Sequence, residues 1–457
     1  MATGNPITLW RWAMAARAIR LLAWIALAGA AAAQEVEQPP PPDTGERVIP
    51  EQPQGPESGA RVVPDQPEAA VLAGVPRGEL IADHQLGPFV VRPQLTLEFG
   101  YDSNVFIAPD SSDPVSSRLL NVIGDVRMLL PGGERQEFEF DGSLGYHGFL
   151  DQDSQSFGET SGQAVYRFKG TRHLFEISDR YDVSRRRYSL EIDERVRFRT
   201  NEVRGFWEYA LTEGLGLRFG AHRRDFKFAS GETFGDVNLA VQGNHTDNGI
   251  DVSSRIRVAS TVRLFGQGEY RRISFEESDN QRDSTERFGE VGFEFDPSGA
   301  LRGEAALAYT EFVQPDNDAG SFSGLRARAN LRLRLGESAE LELSGSRAPQ
   351  ASVLSQSVLN ESLRISVTMA VGDELVVNAY GEAVRDQYRG ESTIVLPQSS
   401  FRADRTDRGL GAGLGATYQL GSRWGIVGRI RWFRRNSDIQ DLDYDELEAL
   451  IGLRVVL

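Results

Sequence analysis

The chain has 457 residues, no cysteine, 47 glycines, 24 phenylalanines and a formal net charge of −16. Without cysteine there is no disulfide framework, no thiolate zinc site and no lipid-modified cysteine anchor. The acidic balance argues against a general nucleic-acid binder, which carries a basic footprint.

The first segment reads as an export signal. Arg11, Arg17 and Arg20 form a positive region free of acidic residues, Leu21 to Ala33 is a short apolar core, and Ala31-Ala32-Ala33 before Gln34 is a small-residue cleavage site. Residues 1–33 are therefore expected to be removed, leaving 47 basic against 66 acidic groups, a balance of −19. The apolar core is too short to span a bilayer comfortably. No later stretch approaches a transmembrane helix, so a membrane location demands a closed barrel, where every backbone polar group is satisfied between strands.

Residues 34–88 form a second region, with Pro39 to Pro42 in a row and seven further prolines. Arg47-Val-Ile-Pro-Glu-Gln-Pro53 recurs as Arg61-Val-Val-Pro-Asp-Gln-Pro67. Such composition cannot build a core and favours extended, solvated backbone. We expect a disordered periplasmic arm, either a spacer or a docking arm for a periplasmic partner. A short helix is conceivable within Glu68 to Leu86.

From residue 89 to 457 the texture is that of β-strands. Leu95, Leu97, Phe99 and Tyr101 alternate with Gln94, Thr96, Glu98 and Gly100. A period of two sends successive side chains to opposite faces. Short turns follow near Pro131, Lys169, Thr212, Ala259, Asp296, Gly336, Val371 and Leu420, at a pitch of roughly forty residues, which is two strands plus one longer loop. The connections between these hairpins are longer and acidic, as at Asp110-Ser-Ser-Asp, Asp151-Gln-Asp-Ser and Glu276-Glu-Ser-Asp-Asn. Eight hairpins plus a first and a last strand predict an all-β, transmembrane, antiparallel up-and-down barrel of about 18 strands. Gly235 to Gln242 also alternates and reads as a strand extension or an extra pair.

The hairpin around Gly336 is the clearest unit. An odd-length loop places Arg332 opposite Glu342, Arg334 opposite Glu340, Leu333 opposite Leu341 and Leu331 opposite Leu343. One face is aliphatic, for lipid, and the other is a charge ladder for a water-filled lumen. Trp207, Trp424, Trp432, Tyr166, Tyr209, Tyr309 and Tyr418 suit interfacial girdles.

Inward residues carry the chemistry. The candidates for lining and selectivity are Arg326, Arg328, Arg332, Arg334, Glu340 and Glu342, then Arg195, Arg197 and Arg199 flanking outward Val196 and Phe198, then Arg429 and Arg431. Glu98, Asp125, Glu137 and Glu139 are inward carboxylates. These charges either brace the wall by pairing with one another or set solute selectivity at a constriction. Arg326 and Arg328 have no acidic partner within their hairpin and are the stronger candidates for a solute-facing charge. Five histidines offer no catalytic constellation, although His147 and His222 read as inward with Asp225 near His222. No catalytic residue, metal-ligand set or cofactor is expected.

Gly100-Tyr-Asp-Ser-Asn-Val-Phe106, closing the first barrel strand, resembles the outer-membrane β-barrel porin families of Gram-negative bacteria, some of which accompany exopolysaccharide export. The resemblance implies a porin-type outer-membrane barrel and brings no catalytic residues. The alternating last strand, Leu447 to Leu457, resembles the signal read by barrel-assembly machinery, apart from lacking a terminal aromatic. The expected partners are thus outer-membrane lipid, the assembly machinery and a periplasmic protein at the arm, with no nucleic acid. The expected function is a channel for hydrophilic solutes or for an exported polysaccharide. A non-conducting structural or adhesive barrel is the alternative, and a barrel enzyme the third reading.

Overall fold

A computed structural model describes residues 84–457, apart from 87, 109–112, 132, 134, 235–236, 277–281, 296–298, 315–319, 354, 391–404 and 439–441. The export signal and nearly all of the proline-rich arm lie outside the described residues.

Eighteen strands form one closed antiparallel cylinder. They are β1 (Phe89–Asp102), β2 (Ser117–Pro131), β3 (Gln136–Phe149), β4 (Phe157–Lys169), β5 (His173–Ser189), β6 (Ile192–Ala210), β7 (Leu215–Phe228), β8 (His245–Ala259) and β9 (Val262–Phe275). The ring continues with β10 (Ser284–Phe295), β11 (Leu301–Val313), β12 (Phe322–Leu335), β13 (Ala339–Ala351), β14 (Ser357–Val371), β15 (Leu375–Arg389), β16 (Thr406–Gln419), β17 (Trp424–Ser437) and β18 (Tyr444–Val456). Each strand pairs with the next, and β18 returns to β1 from Gln94↔Val456 to Asp102↔Glu448. No edge is left open, which removes the unpaired N–H and C=O row that a membrane cannot tolerate. A short strand, His84–Leu86, lies against Phe89–Val91 at the end of the cylinder where the turns are short.

All eight predicted hairpin turns fall at that turn end. Gly336 and Gly372 adopt φ of +77° and +68° there, left-handed conformations that cost glycine nothing. The register around Gly336 is the one the alternation dictates, with Arg332↔Glu342, Arg334↔Glu340, Leu331↔Leu343 and Leu333↔Leu341. Outward side chains such as Val291, Leu307 and Ile451 are more than 60% exposed. A continuous apolar mantle of this kind is stable only against lipid. Trp207, Trp424, Trp432, Tyr309 and Tyr418 all lie on that mantle and are exposed.

Two departures from the predicted pattern sit at the opposite, loop end. The tract after β7 makes no barrel strand: Thr233–Phe234 pairs with Val237–Asn238, and Leu239–Gly243 forms one helical turn capped by Asn238. Strands β5 and β6 have 17 and 19 residues, whereas the other barrel strands have 12 to 15. Their extra length leaves the wall.

Candidate functional site: a hairpin across the lumen

The upper part of β5 and β6 bends over the lumen and reaches the far wall. Its tip is the two-residue turn Leu190-Glu191. Leu190 is buried in a cluster with Ile107, Val384, Phe433 and Tyr444. Val384 lies on β15, nine positions from β6 around an eighteen-strand ring and so diametrically opposite. Behind the tip, Ile192, Val196 and Phe198 pack with Phe226, Phe228, Leu239 and Val353. Burying an apolar side chain of this size contributes about 1.5–3 kcal/mol, so the hairpin has an apolar reason to lie down.

Polar contacts fix its position. Glu191, 1% exposed, accepts from the Val353 N–H at 3.0 Å, the Ser355 N–H at 2.9 Å and the Ser352 hydroxyl. Arg187 donates to the Tyr444 hydroxyl and lies over that ring. Arg195 donates to Asp102 at 2.8 Å, to Glu446 at 3.1 Å and to the Val105 carbonyl at 2.8 Å, with its guanidinium over Phe149. From the β9–β10 connection, fully buried Arg282 donates to the carbonyls of Ser352, Val353 and Gln242. Burial lowers its pKa to about 10, opposed by the nearby Glu191 charge, so the guanidinium stays protonated at neutral pH.

The first-strand heptapeptide builds the receiving side. Asp102 caps the Asn104 N–H at 2.8 Å, and the Asn104 amide bridges Ala108 and the Asp445 carbonyl. This compact loop, with Ile107 at φ +56°, presents Asp102 and the Val105 carbonyl to Arg195. The sequence reading missed this function because nothing local links residue 102 to residue 195.

Arg195, Arg197 and Arg199 do not line the lumen wall flanking outward apolar residues, as the alternation suggested. On β6 the lumen face carries Val196, Phe198 and Glu202, while Val203 and Trp207 face outward. Hydrophobicity misassigned the face because Val196 and Phe198 are apolar toward the plug, not toward lipid. Arg197 and Arg199 are exposed on the other face of the ribbon.

The lumen wall below is a set of ion pairs. Arg328 binds Glu290 at 2.7 Å and also Glu304, and Arg326 binds Glu286 at 3.1 Å. Their partners lie one and two strands away, outside their own hairpin, so these arginines are paired wall groups and not the free solute-facing charges expected of them. Glu340 binds Arg302 at 2.5 Å rather than Arg334, and Arg332 approaches Glu342 at 3.6 Å. Arg334 makes no ion pair among the described residues. Arg429 sits between Glu98 at 3.4 Å and Glu448 at 3.6 Å, and Arg431 is buried beneath the Phe433 ring. Arg167 joins Glu137 and Glu176, each at 2.6 Å. Arg218 stacks on Phe206 beside a polar pocket of about 30 Å³, room for a few waters only.

The histidines are wall groups. His147 contacts Asn121 at 3.1 Å and Glu159 at 2.9 Å, and His222 faces Asp247 at 3.7 Å. Asp225 is not beside His222. It lies three residues on, hence on the opposite face of the strand, where it holds Arg223 and Thr246.

A closed eighteen-strand cylinder with an apolar exterior and a charged interior is an outer-membrane barrel of the porin type. Residues 171–457 match the family described as Putative beta-barrel porin 2, and the chain belongs to that family. Among solved structures it is similar to OccK2 (OpdF) of Pseudomonas aeruginosa, with 13% identity, a TM-score of 0.45, and 80% of this chain and 98% of that one covered. It is also similar to the outer-membrane protein OpdK of the same organism, with 10% identity, a TM-score of 0.42, and coverage of 80% and 99%. No curated protein matches the sequence.

Proposed function

We propose that this porin-type channel passes small hydrophilic solutes and that the β5–β6 hairpin is its barrier. The loop end faces outward, as in other outer-membrane barrels, with the short turns in the periplasm. Residues 1–33 direct export and are cleaved, and the proline-rich arm extends into the periplasm. The observation that carries the reading is the pairing of a charged lumen wall with a hairpin anchored on both sides of the mouth. A wall of ion pairs is wasteful in a dry core, where apolar residues are as stable, but it suits a water-filled passage. A small solute needs the hairpin to yield only briefly. An emerging polymer would hold it open along its whole length, and for that reason we favour solutes over a polysaccharide. Planar-bilayer recording of the full-length protein tests this. Wild type should show rare, low-conductance events, and deletion of residues 186–196 should give large, persistent ones. Silence from both proteins would leave the non-conducting barrel as the correct reading.

A further inference from the structure

We propose that the outer wall of β13–β16 near the loop end holds the phosphorylated headgroup of an acylated membrane glycolipid. The proposal concerns the lipid-facing side and does not depend on conduction.

One cross-strand row carries the argument. Register places Arg347 opposite Glu361, Glu361 opposite Arg385, and Arg385 directly opposite Arg408. All four share the parity of the lipid-facing residues Leu363 and Leu410. Glu361 is shared between Arg347 and Arg385, each at 3.4 Å. Arg408 makes no ion pair among the described residues and is exposed. The row therefore holds three positive charges against one negative. Like charges directly opposite across a ladder destabilise it, and Arg385 and Arg408 are directly opposed. An anion lying over Arg385 and Arg408 would relieve the repulsion.

The surface beneath the row fits the rest of such a ligand. Leu363, Ala383 and Leu410 floor a groove of about 390 Å³ running down the wall from Arg385 and Arg408. Ala383 is small, and the trough lies over it between two leucines. A headgroup at the arginines and an acyl chain in the trough is the arrangement that charge and shape together describe. The height also agrees, since the arginines lie within a few residues of the strand ends, where the apolar mantle stops.

The test uses the full-length protein in detergent with a bis-phosphorylated, multiply acylated disaccharide lipid, and native mass spectrometry to count retained lipid. The dephosphorylated lipid should be retained far less. Arg385→Glu with Arg408→Glu should lower retention roughly fivefold per arginine, the size expected for a basic residue near an anionic surface. Ala383→Trp should lower it as well, by filling the trough with all charges intact. Arg223→Glu removes an outward arginine that has its own carboxylate, Asp225, and should leave retention unchanged. Each variant must keep its heat-dependent gel shift; where the glutamates abolish it, Arg385→Gln with Arg408→Gln replaces them. Equal retention of the dephosphorylated lipid, full retention by the double variant, or an equal loss in Arg223→Glu would overturn the proposal.

Discussion

Arg195 and Asp102 meet at 2.8 Å across the mouth of the barrel, one on the tip region of the hairpin and the other at the end of the first strand. Asp102 is fully buried and Arg195 nearly so. Removing one partner of such a pair strands the other, at a cost of about 3–5 kcal/mol. Since residues 184–197 pair with each other but not with β4 or β7, the cost should appear as opening rather than as unfolding of the wall. Arg195→Ala and Asp102→Asn are each expected to raise single-channel open probability, with little further gain in the double variant. Unchanged recordings in both single variants would show that the apolar contacts alone hold the hairpin.

Glu191 is the second anchor. Its carboxylate serves two backbone N–H groups and one hydroxyl. Leaving buried donors unsatisfied costs about 1–3 kcal/mol each. Glu191→Ala should therefore open the mouth more than Glu191→Gln, which keeps one acceptor oxygen. Hydrogen exchange at Val353 and Ser355 measures this directly, and their amides should lose protection in the alanine variant first.

The charge ladder divides into structural and solute-facing members. Arg326 is 5% exposed against a fully buried Glu286, so Arg326→Ala should destabilise the barrel by about 3–5 kcal/mol in urea unfolding from detergent. Arg334 lies exposed near the short turn at Gly336 without an ion pair among the described residues. Arg334→Glu should leave stability unchanged and shift the reversal potential in a salt gradient toward cations. The opposite assignment of effects would reverse their roles.

The contrast between these two arginines marks where the sequence stopped being legible. Alternation is a local signal, so β12, its turn and its register with β13 could be read from residues 325–345 alone. The strand count was legible as well, from the pitch of the eight turns along the chain. Glu286 is forty residues before Arg326 and two strands away, and no period connects them. The hairpin was misread for a different reason. Val196 and Phe198 are apolar in both a lipid-facing strand and an inward-folded plug, and only tertiary placement tells the two apart. The Tyr-Asp-Ser-Asn-Val motif was visible as a resemblance, but its work, receiving Arg195, depends on a contact across the ring.

Strong acid should loosen the rim at Asp151. Asp151, in the β3–β4 connection, accepts from the Arg118 guanidinium and backbone N–H, which hold its pKa at about 2 against an ordinary 3.8. A depressed carboxylate pKa contributes stability above the unfolded value and loses it as pH falls through the folded one. The contribution is therefore complete above about pH 5, falls progressively below it and is gone only near pH 1. Comparing urea midpoints of wild type and Asp151→Asn should show a small gap at pH 6 that closes over that interval. A gap constant down to pH 2 would mean that the pair is silent, as many exposed pairs are.

A glycine row gives the last prediction. On β16 the lumen face is Gly409, Gly411, Gly413 and Gly415, and large side chains from neighbouring strands lie flat across it. A Cβ at Gly413 would sit 2.3 Å from the Tyr380 ring, and one at Gly411 would sit 2.6 Å from the Glu382 carboxylate. Tyr380 in turn supports the Arg364 guanidinium, 3.9 Å from its ring centre. Any side chain at Gly413 must push Tyr380 and Arg364 toward the axis, because the backbone behind them is locked in two ladders. Gly413→Val, in a channel already opened by deletion of residues 186–196, should reduce single-channel conductance while preserving the heat-dependent gel shift. Gly415→Ala is the control, since the nearest atom to its Cβ would be 3.9 Å away, and it should conduct like the parent. Equal conductance in both variants would show that the tyrosine can find another rotamer along the wall.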